Sequence, residues 1–299
     1  MPRAYGLAPM LLAAWAAWPQ APASPPAIRA SVDLVSLPVV VTSRREPVAG
    51  LSAADFEVRE GGVRQTIVTF ADALSDEVPI HLGLMLDKSL SMERDLDAAS
   101  SAAIRFVNDF TEARGVTFVE FERTVRLGRY EPANYPQLFE RVRDRRLGWG
   151  TALYDAMGRY IESTRDRTGI HVLVMYTDGG DSMSDLDASA VIDLLRGGRV
   201  MLYAIGYTQN QGSSRFFQEG MLQIFARETG GAVFFPGSTR DLDRIYRTIR
   251  SEVRGRYTLG YVSTNPARDG KFRKVQVRLT GARRRDTDVR ARTGYFAPR

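Results

Sequence analysis

The sequence predicts an α/β protein: a doubly wound, mostly parallel sheet inserted into a β-sandwich-like domain built from both chain ends. Three observations carry this. Between 79 and 253, short apolar runs alternate with amphipathic helical stretches, the pattern of a parallel sheet covered by helices. The text on either side is β-like, rich in β-branched residues and turn signals, with no helical period. Each flank holds only about 45 residues, too few to bury a core alone, whereas together they approach the ~100 residues of a sandwich.

The chain has 299 residues, 44% hydrophobic and 25% charged, which is the balance of a globular protein. Its start, "MPRAYGLAPMLLAAWAAWPQAPASPPA", has Arg3, an apolar run from Leu7 to Trp18 and a small-residue exit at Ala21-Pro22-Ala23. That is the layout of a secretory signal peptide, placed at 1–23. The run is shorter than the ~20 residues a bilayer span requires, so no membrane span is expected and the protein is expected to be exported, to the periplasm or beyond. There is no cysteine, which removes disulfides, thiol chemistry and a lipid anchor through cysteine.

From the leader onward, the first β segment (28–75) contains "VDLVSLPVVVTS" and a hairpin around Gly61-Gly62. Strands are then expected at 80–86, 116–121, 170–177, 200–207 and 232–236, with a further one at 124–130. Helices are expected at about 92–113, 152–165, 185–197 and 213–229, and the last one carries Leu242, Ile245, Ile249 and Val253 on a single stripe. The second β segment (254–297) contains "RYTLGYV" and an alternating "KFRKVQVRL". Two separate small β caps are the alternative to a shared sandwich.

The net charge of +6 raises the question of a nucleic-acid or anionic partner. Almost all of the basic residues are arginine, which reads as compositional bias. The one dense run, Arg283-Arg284-Arg285, sits beside Asp286 and Asp288 and is expected to be a solvated turn, so no nucleic-acid partner is expected.

Ligands of a doubly wound sheet bind beyond the carboxyl ends of its strands, where strand order reverses. One strand runs into Asp87, Ser89 and Ser91; another runs into "YTDGGDS" with Asp178; between them "LGWGTALYD" offers Thr151 just before a helix. These donors are all oxygens, two of them carboxylates, and such a set suits Mg²⁺, Mn²⁺ or Ca²⁺ rather than zinc. A further carboxylate, from outside, could complete the set. The same residues also make ordinary turns and helix N-caps, and the spacing of Asp87, Ser89 and Ser91 alone fits both readings.

Asp87-x-Ser89-x-Ser91, Thr151 and Asp178, together with "GTALYDAM" and "YTDGGD", resemble the metal-ion-dependent adhesion site of the von Willebrand factor type A domain. The flanks, "DFEVREGGVRQTIVTF" and "YTLGY", resemble those of exported bacterial proteins related to that domain. The resemblance implies a Rossmann-like domain at 79–253 and a role in protein binding and adhesion rather than an enzyme. It implies that Ser89 and Ser91 bind the ion directly, Asp87 and Asp178 directly or through water, and Thr151 in the partner-engaged state. A partner protein's Asp or Glu fills the last position. Lys88 and Leu90 depart from the pattern. Lys88 is expected to place a cation beside the ion or to contact an acidic partner, and Trp149 to be an exposed partner contact, while Phe216 and Phe217 are expected in the core.

Two other functions are open to the sequence: a structural part in a cell-envelope assembly with a degenerate site, and a Mg²⁺-dependent phosphohydrolase. The second lacks the acid that an aspartate-nucleophile phosphatase needs two residues after Asp87, where Ser89 stands. His81 and His171 fall at strand starts, at the rim opposite the proposed ion, where packing or hydrogen bonding is expected of them. The sequence specifies neither the partner nor the oligomeric state.

Overall fold

The computed structural model describes residues 33–72, 78–207, 214–281 and 286–299, so the expected leader and the Arg283–Arg285 turn lie outside the described residues. The central sheet has the order β11 (Ala232–Phe234), β10 (Val200–Gly206), β9 (Ile170–Thr177), β6 (Ile80–Asp87), β7 (Ala113–Phe121), β8 (Val125–Tyr130). All neighbours are parallel except β8, which runs antiparallel at one edge.

β6 and β9 read as unbroken apolar runs because helices cover both faces of the sheet. Leu82, Leu84 and Leu86 face α1 (Leu96–Asp109), α2 (Tyr135–Arg143) and α6 (Leu242–Arg254). Met85, with Leu173 and Met175, faces α3 (Leu153–Glu162), α4 (Ala188–Gly197) and α5 (Arg215–Thr229). The four stripe residues of α6 are all buried. Gly83 admits the ring of Tyr160 from α3, since a Cβ there would lie 2.4 Å from it.

Helix α2 is an element that hydrophobic period does not reveal. It has nine residues, begins with Tyr135-Pro136, and buries only Leu138 and Val142. Proline suits its first turn, where the missing N–H costs nothing.

The chain ends form two antiparallel sheets. One has the order β14 (Asp288–Ala291), β1 (Leu34–Ser43), β12 (Tyr257–Val262), β5 (Ile67–Asp72), with β2 (Glu46–Pro47) also on β1. The other has the order β15 (Gly294–Phe296), β13 (Phe272–Leu279), β3 (Phe56–Glu60), β4 (Val63–Gln65). Both mix strands from the two ends, which two separate caps would not do. Their facing sides share one core of Leu37, Val39, Val41, Phe56, Val58, Leu259, Tyr261 and Val275. The strand entering the α/β segment and the strand leaving it are hydrogen-bonded neighbours, with Asp72 opposite Tyr257.

At the amino ends of the parallel strands, His81 and His171 stand side by side in the β6–β9 register with rings stacked 5.0 Å apart. Their Nε2 atoms lie 3.1 Å and 3.3 Å from the carbonyls of Thr168 and Arg167. Burial holds both imidazoles below the usual histidine range, helped by the charges of Arg167 and Arg114 on His81 and of His81, Arg167 and Arg199 on His171. The unfolded chain therefore takes up protons at these sites before the folded chain does. Stability should fall as pH drops below about 6.5, as measured by urea unfolding at pH 7.5 and 5.5. The His81→Leu, His171→Leu double variant should lose that part of the slope.

Candidate metal centre

Strand order reverses at β6: its next strand, β7, lies on one side, and β9, reached later, on the other. The crevice beyond their carboxyl ends is where such a sheet binds ligands. Asp87 is the last residue of β6, and Asp178 follows the last residue of β9.

The Asp87 carboxylate is fully buried. Its Oδ1 accepts the Ser89 amide at 2.9 Å, and its Oδ2 accepts the Thr177 hydroxyl at 2.7 Å. Thr177 is fixed in turn by the Gly179 amide, at 3.1 Å. Burial and the neighbouring Asp178 push the Asp87 carboxyl up to about 7. Asp178 is also buried and accepts the Gly180 amide at 2.8 Å. Beyond Asp87, the Ser89 and Ser91 hydroxyls lie 2.9 Å apart, Ser89 buried and Ser91 exposed.

Backbone bonds stitch the three loops together. Gly148 donates to the Lys88 carbonyl at 3.0 Å and accepts from Leu90 at 3.2 Å. The Thr151 carbonyl accepts the Ser182 and Met183 amides at 2.9 and 3.1 Å, and the Thr151 amide donates to the Ser182 hydroxyl at 3.1 Å. Asp181 caps the start of α3 by accepting the Tyr154 amide at 3.2 Å and also takes the Ser184 hydroxyl at 2.6 Å, which gives it a structural role. All five sequence-proposed donors thus sit on three loops that are joined to each other.

Among the described residues, no group of three or more histidine, aspartate or glutamate side chains forms a metal cluster. The donor set here relies instead on hydroxyls, which a hard divalent cation accepts. Two buried carboxylates, Asp87 raised by its burial and then by the charge of Asp178, fit such a cation.

Lys88 corrects an expectation. It is 1% exposed and its ammonium is engaged inside the protein, so it does not offer itself to a partner's surface. Successive strand residues point to opposite faces, so Asp87 and Lys88 diverge. The Lys88 ammonium lies 2.8 Å from Glu120 on β7 and donates to the Arg141 and Asp144 carbonyls at 2.9 and 2.7 Å, capping the end of α2. The signal for this was Glu120, the one carboxylate in β7, set between Val119 and Phe121.

Trp149 is exposed, at 82%. Phe216 and Phe217 correct a second expectation, since they are 84% and 69% exposed rather than in the core.

Substituting Lys88→Met should cost about 3 kcal/mol in urea unfolding. The figure sits at the low end for a broken buried pair because Glu120 keeps Arg141 at 2.7 Å and Arg126 at 3.1 Å. Because the folded pKa of Asp87 is raised, its charge opposes folding increasingly as pH rises from about 4 through about 7. Asp87→Asn should therefore raise the urea midpoint at pH 8 in EDTA and abolish any midpoint gain on adding Mg²⁺.

No curated protein matches the sequence. Among solved structures, a von Willebrand factor type A protein from Catenulispora acidiphila aligns over 89% of this chain and 73% of its own, at 13% identity and a TM-score of 0.51. The D319A mutant of the PilB minor pilin from Streptococcus sanguinis aligns over 60% of this chain at 11% identity and a TM-score of 0.50. The aligned part spans 62% of that pilin's length. These likenesses concern the fold. The family profile of the von Willebrand factor type A domain matches residues 81–248, from the start of β6 to within α6, and the chain belongs to that family.

Proposed function

We propose that the chain is an exported protein-binding module in which a divalent cation, Mg²⁺ in the first place, captures an acidic side chain of another protein. The observation that carries this reading is the convergence of three loops on a buried carboxylate pair at the point where strand order reverses. Asp87, Ser89, Ser91, Thr151 and Asp178 would hold the ion. When bound, the ion supplies an electrophilic position that a partner's carboxylate completes.

The chain's own residues do the positioning. Thr177 and the Ser89 amide fix the Asp87 carboxylate, and the bonds between Thr151, Ser182 and Met183 tie the second loop to the third. Nothing in this reading requires turnover, and the position two residues after Asp87 holds a hydroxyl rather than a second acid. Export rests on the leader at 1–23. Among the described residues no helix is long and apolar enough to cross a membrane.

Calorimetric titration with Mg²⁺, Mn²⁺ and Ca²⁺, with and without acetate as a surrogate carboxylate, tests the reading. One saturable site is expected, strengthened by acetate and lost in the Asp87→Ala, Ser89→Ala double variant. Silence with every ion under both conditions would overturn it and favour a structural role in an envelope assembly.

A further inference from the structure

The most exposed large apolar residues of the described chain are not scattered. Trp149, Phe216 and Phe217, at 82%, 84% and 69%, lie at the carboxyl rim of the central sheet, together with the partly exposed Met183 and Leu90. Two exposed apolar groups at one rim, Phe216 with Phe217 and Trp149 with Met183, mark an interaction surface rather than ordinary surface composition.

Its layout follows from the sheet order. Phe216 and Phe217 are in the first turn of α5, which follows β10, and the next residue, Gln218, packs over Gly179 and Gly180 in the loop after β9. Trp149 follows Gly148, which is bonded to the loop after β6 and packs on Glu122, just past β7. Gly150 lies so close to Met183 that a Cβ there would meet its Cγ at 2.5 Å. The apolar residues therefore stand on both sides of Asp87 and Asp178, which end the two middle strands of the four. Three inter-strand steps of ~4.8 Å put the two flanks about 14 Å apart.

An extended peptide rises ~3.3 Å per residue, so about four residues bridge that distance, and residues two apart point the same way. Arg94 and Arg123 are exposed just past β6 and β7, and they offer positive charge to an acidic occupant.

We propose that this rim binds an extended partner segment in which an aspartate or glutamate is flanked, two residues before and two after, by aromatic or large aliphatic side chains. One side chain would pack against Phe216 and Phe217, the other against Trp149 and Met183. The inference rests on the ion-centred reading given above and adds to it the spacing and chemistry of the partner.

A displayed library of seven-residue peptides, with aspartate fixed at the centre and the other positions random, tests this when selected on the full chain in Mg²⁺ and separately in EDTA. In Mg²⁺, aromatic and large aliphatic residues should enrich about tenfold at the two stated positions, the scale of burying one such side chain. Phe216→Ser with Phe217→Ser should erase the preference on one flank only, and Trp149→Ser on the other. Both variants should keep the melting temperature and the calorimetric ion binding of the parent.

Mg²⁺-dependent capture with unbiased flanks, or with enrichment of basic or polar residues, would overturn the inference and leave the ion-centred reading standing. Flanking preferences untouched by the variants would also overturn it. Equal selection in EDTA would overturn the ion-centred reading, and with it the central place of the acid.

Discussion

Two buried carboxylates at the ends of adjacent strands are the constraint around which the α/β segment is arranged. Asp87 and Asp178 end adjacent strands of a sheet covered on both faces, so the helices that bury the sheet also bury Asp87. Each carboxylate accepts backbone amides or hydroxyls from its own loop or the neighbouring strand. These bonds orient the pair and lower the Asp87 carboxyl, but burial first and then the charge of Asp178 outweigh them and leave it raised. Repulsion at this point is sustained because the surrounding loops are tied to each other by backbone bonds, which do not depend on the charge state of either group.

The nearest lysine in sequence does not relieve that repulsion. Alternation along the strand sends Lys88 to the opposite face, where it neutralises Glu120 and terminates α2. Glu120 is reached from three sides, by Lys88, Arg126 and Arg141, and against the opposing effect of burial Lys88 and Arg141 hold its carboxyl below the usual range. Two adjacent residues thus perform separate work: one shapes an unbalanced anionic pocket, and the other anchors its loop with a balanced ion pair. The anchoring reaches the second loop as well, since the Asp144 carbonyl that Lys88 holds lies a few residues before Gly148, which bonds back to the Lys88 carbonyl.

The strands were legible in the sequence wherever burial on both faces made them continuous apolar runs, and β9 coincides with its expected bounds, 170–177. The α/β segment between two β flanks was legible from the change of period. Helix α2 was not, because two buried residues give too little stripe to stand out among charged neighbours. Lys88 was misread because lysine is seldom buried and its partner lies 32 positions away on another strand. Phe216 and Phe217 were misread for the converse reason: large apolar residues are assigned to cores by default, and a sequence does not show that the first turn of α5 leaves these two exposed. The three loops that carry the proposed donors follow in chain order in the sequence, but their connection through Gly148, Thr151 and Ser182 is a property of the fold.

The sandwich and the α/β segment are also coupled, and the coupling converges on α6. Only Gly255 and Arg256 separate that helix from β12, which pairs with both β1 and β5. Arg256 is buried and donates to the Val253 carbonyl at 2.8 Å, while Gly255 approaches Pro47 so closely that a Cβ would meet it at 2.6 Å. Glu252 on α6 pairs at 2.6 Å with Arg290 on β14, and both side chains are largely buried. A buried pair of this kind is costly to break by one partner. Sliding α6 along the sheet would therefore have to break this pair or carry β12 and β14 with it, and β12 is a central strand of the sandwich. The helix is held at its carboxyl end by a domain made from both chain ends, so the sandwich and the α/β segment are mechanically joined at this junction.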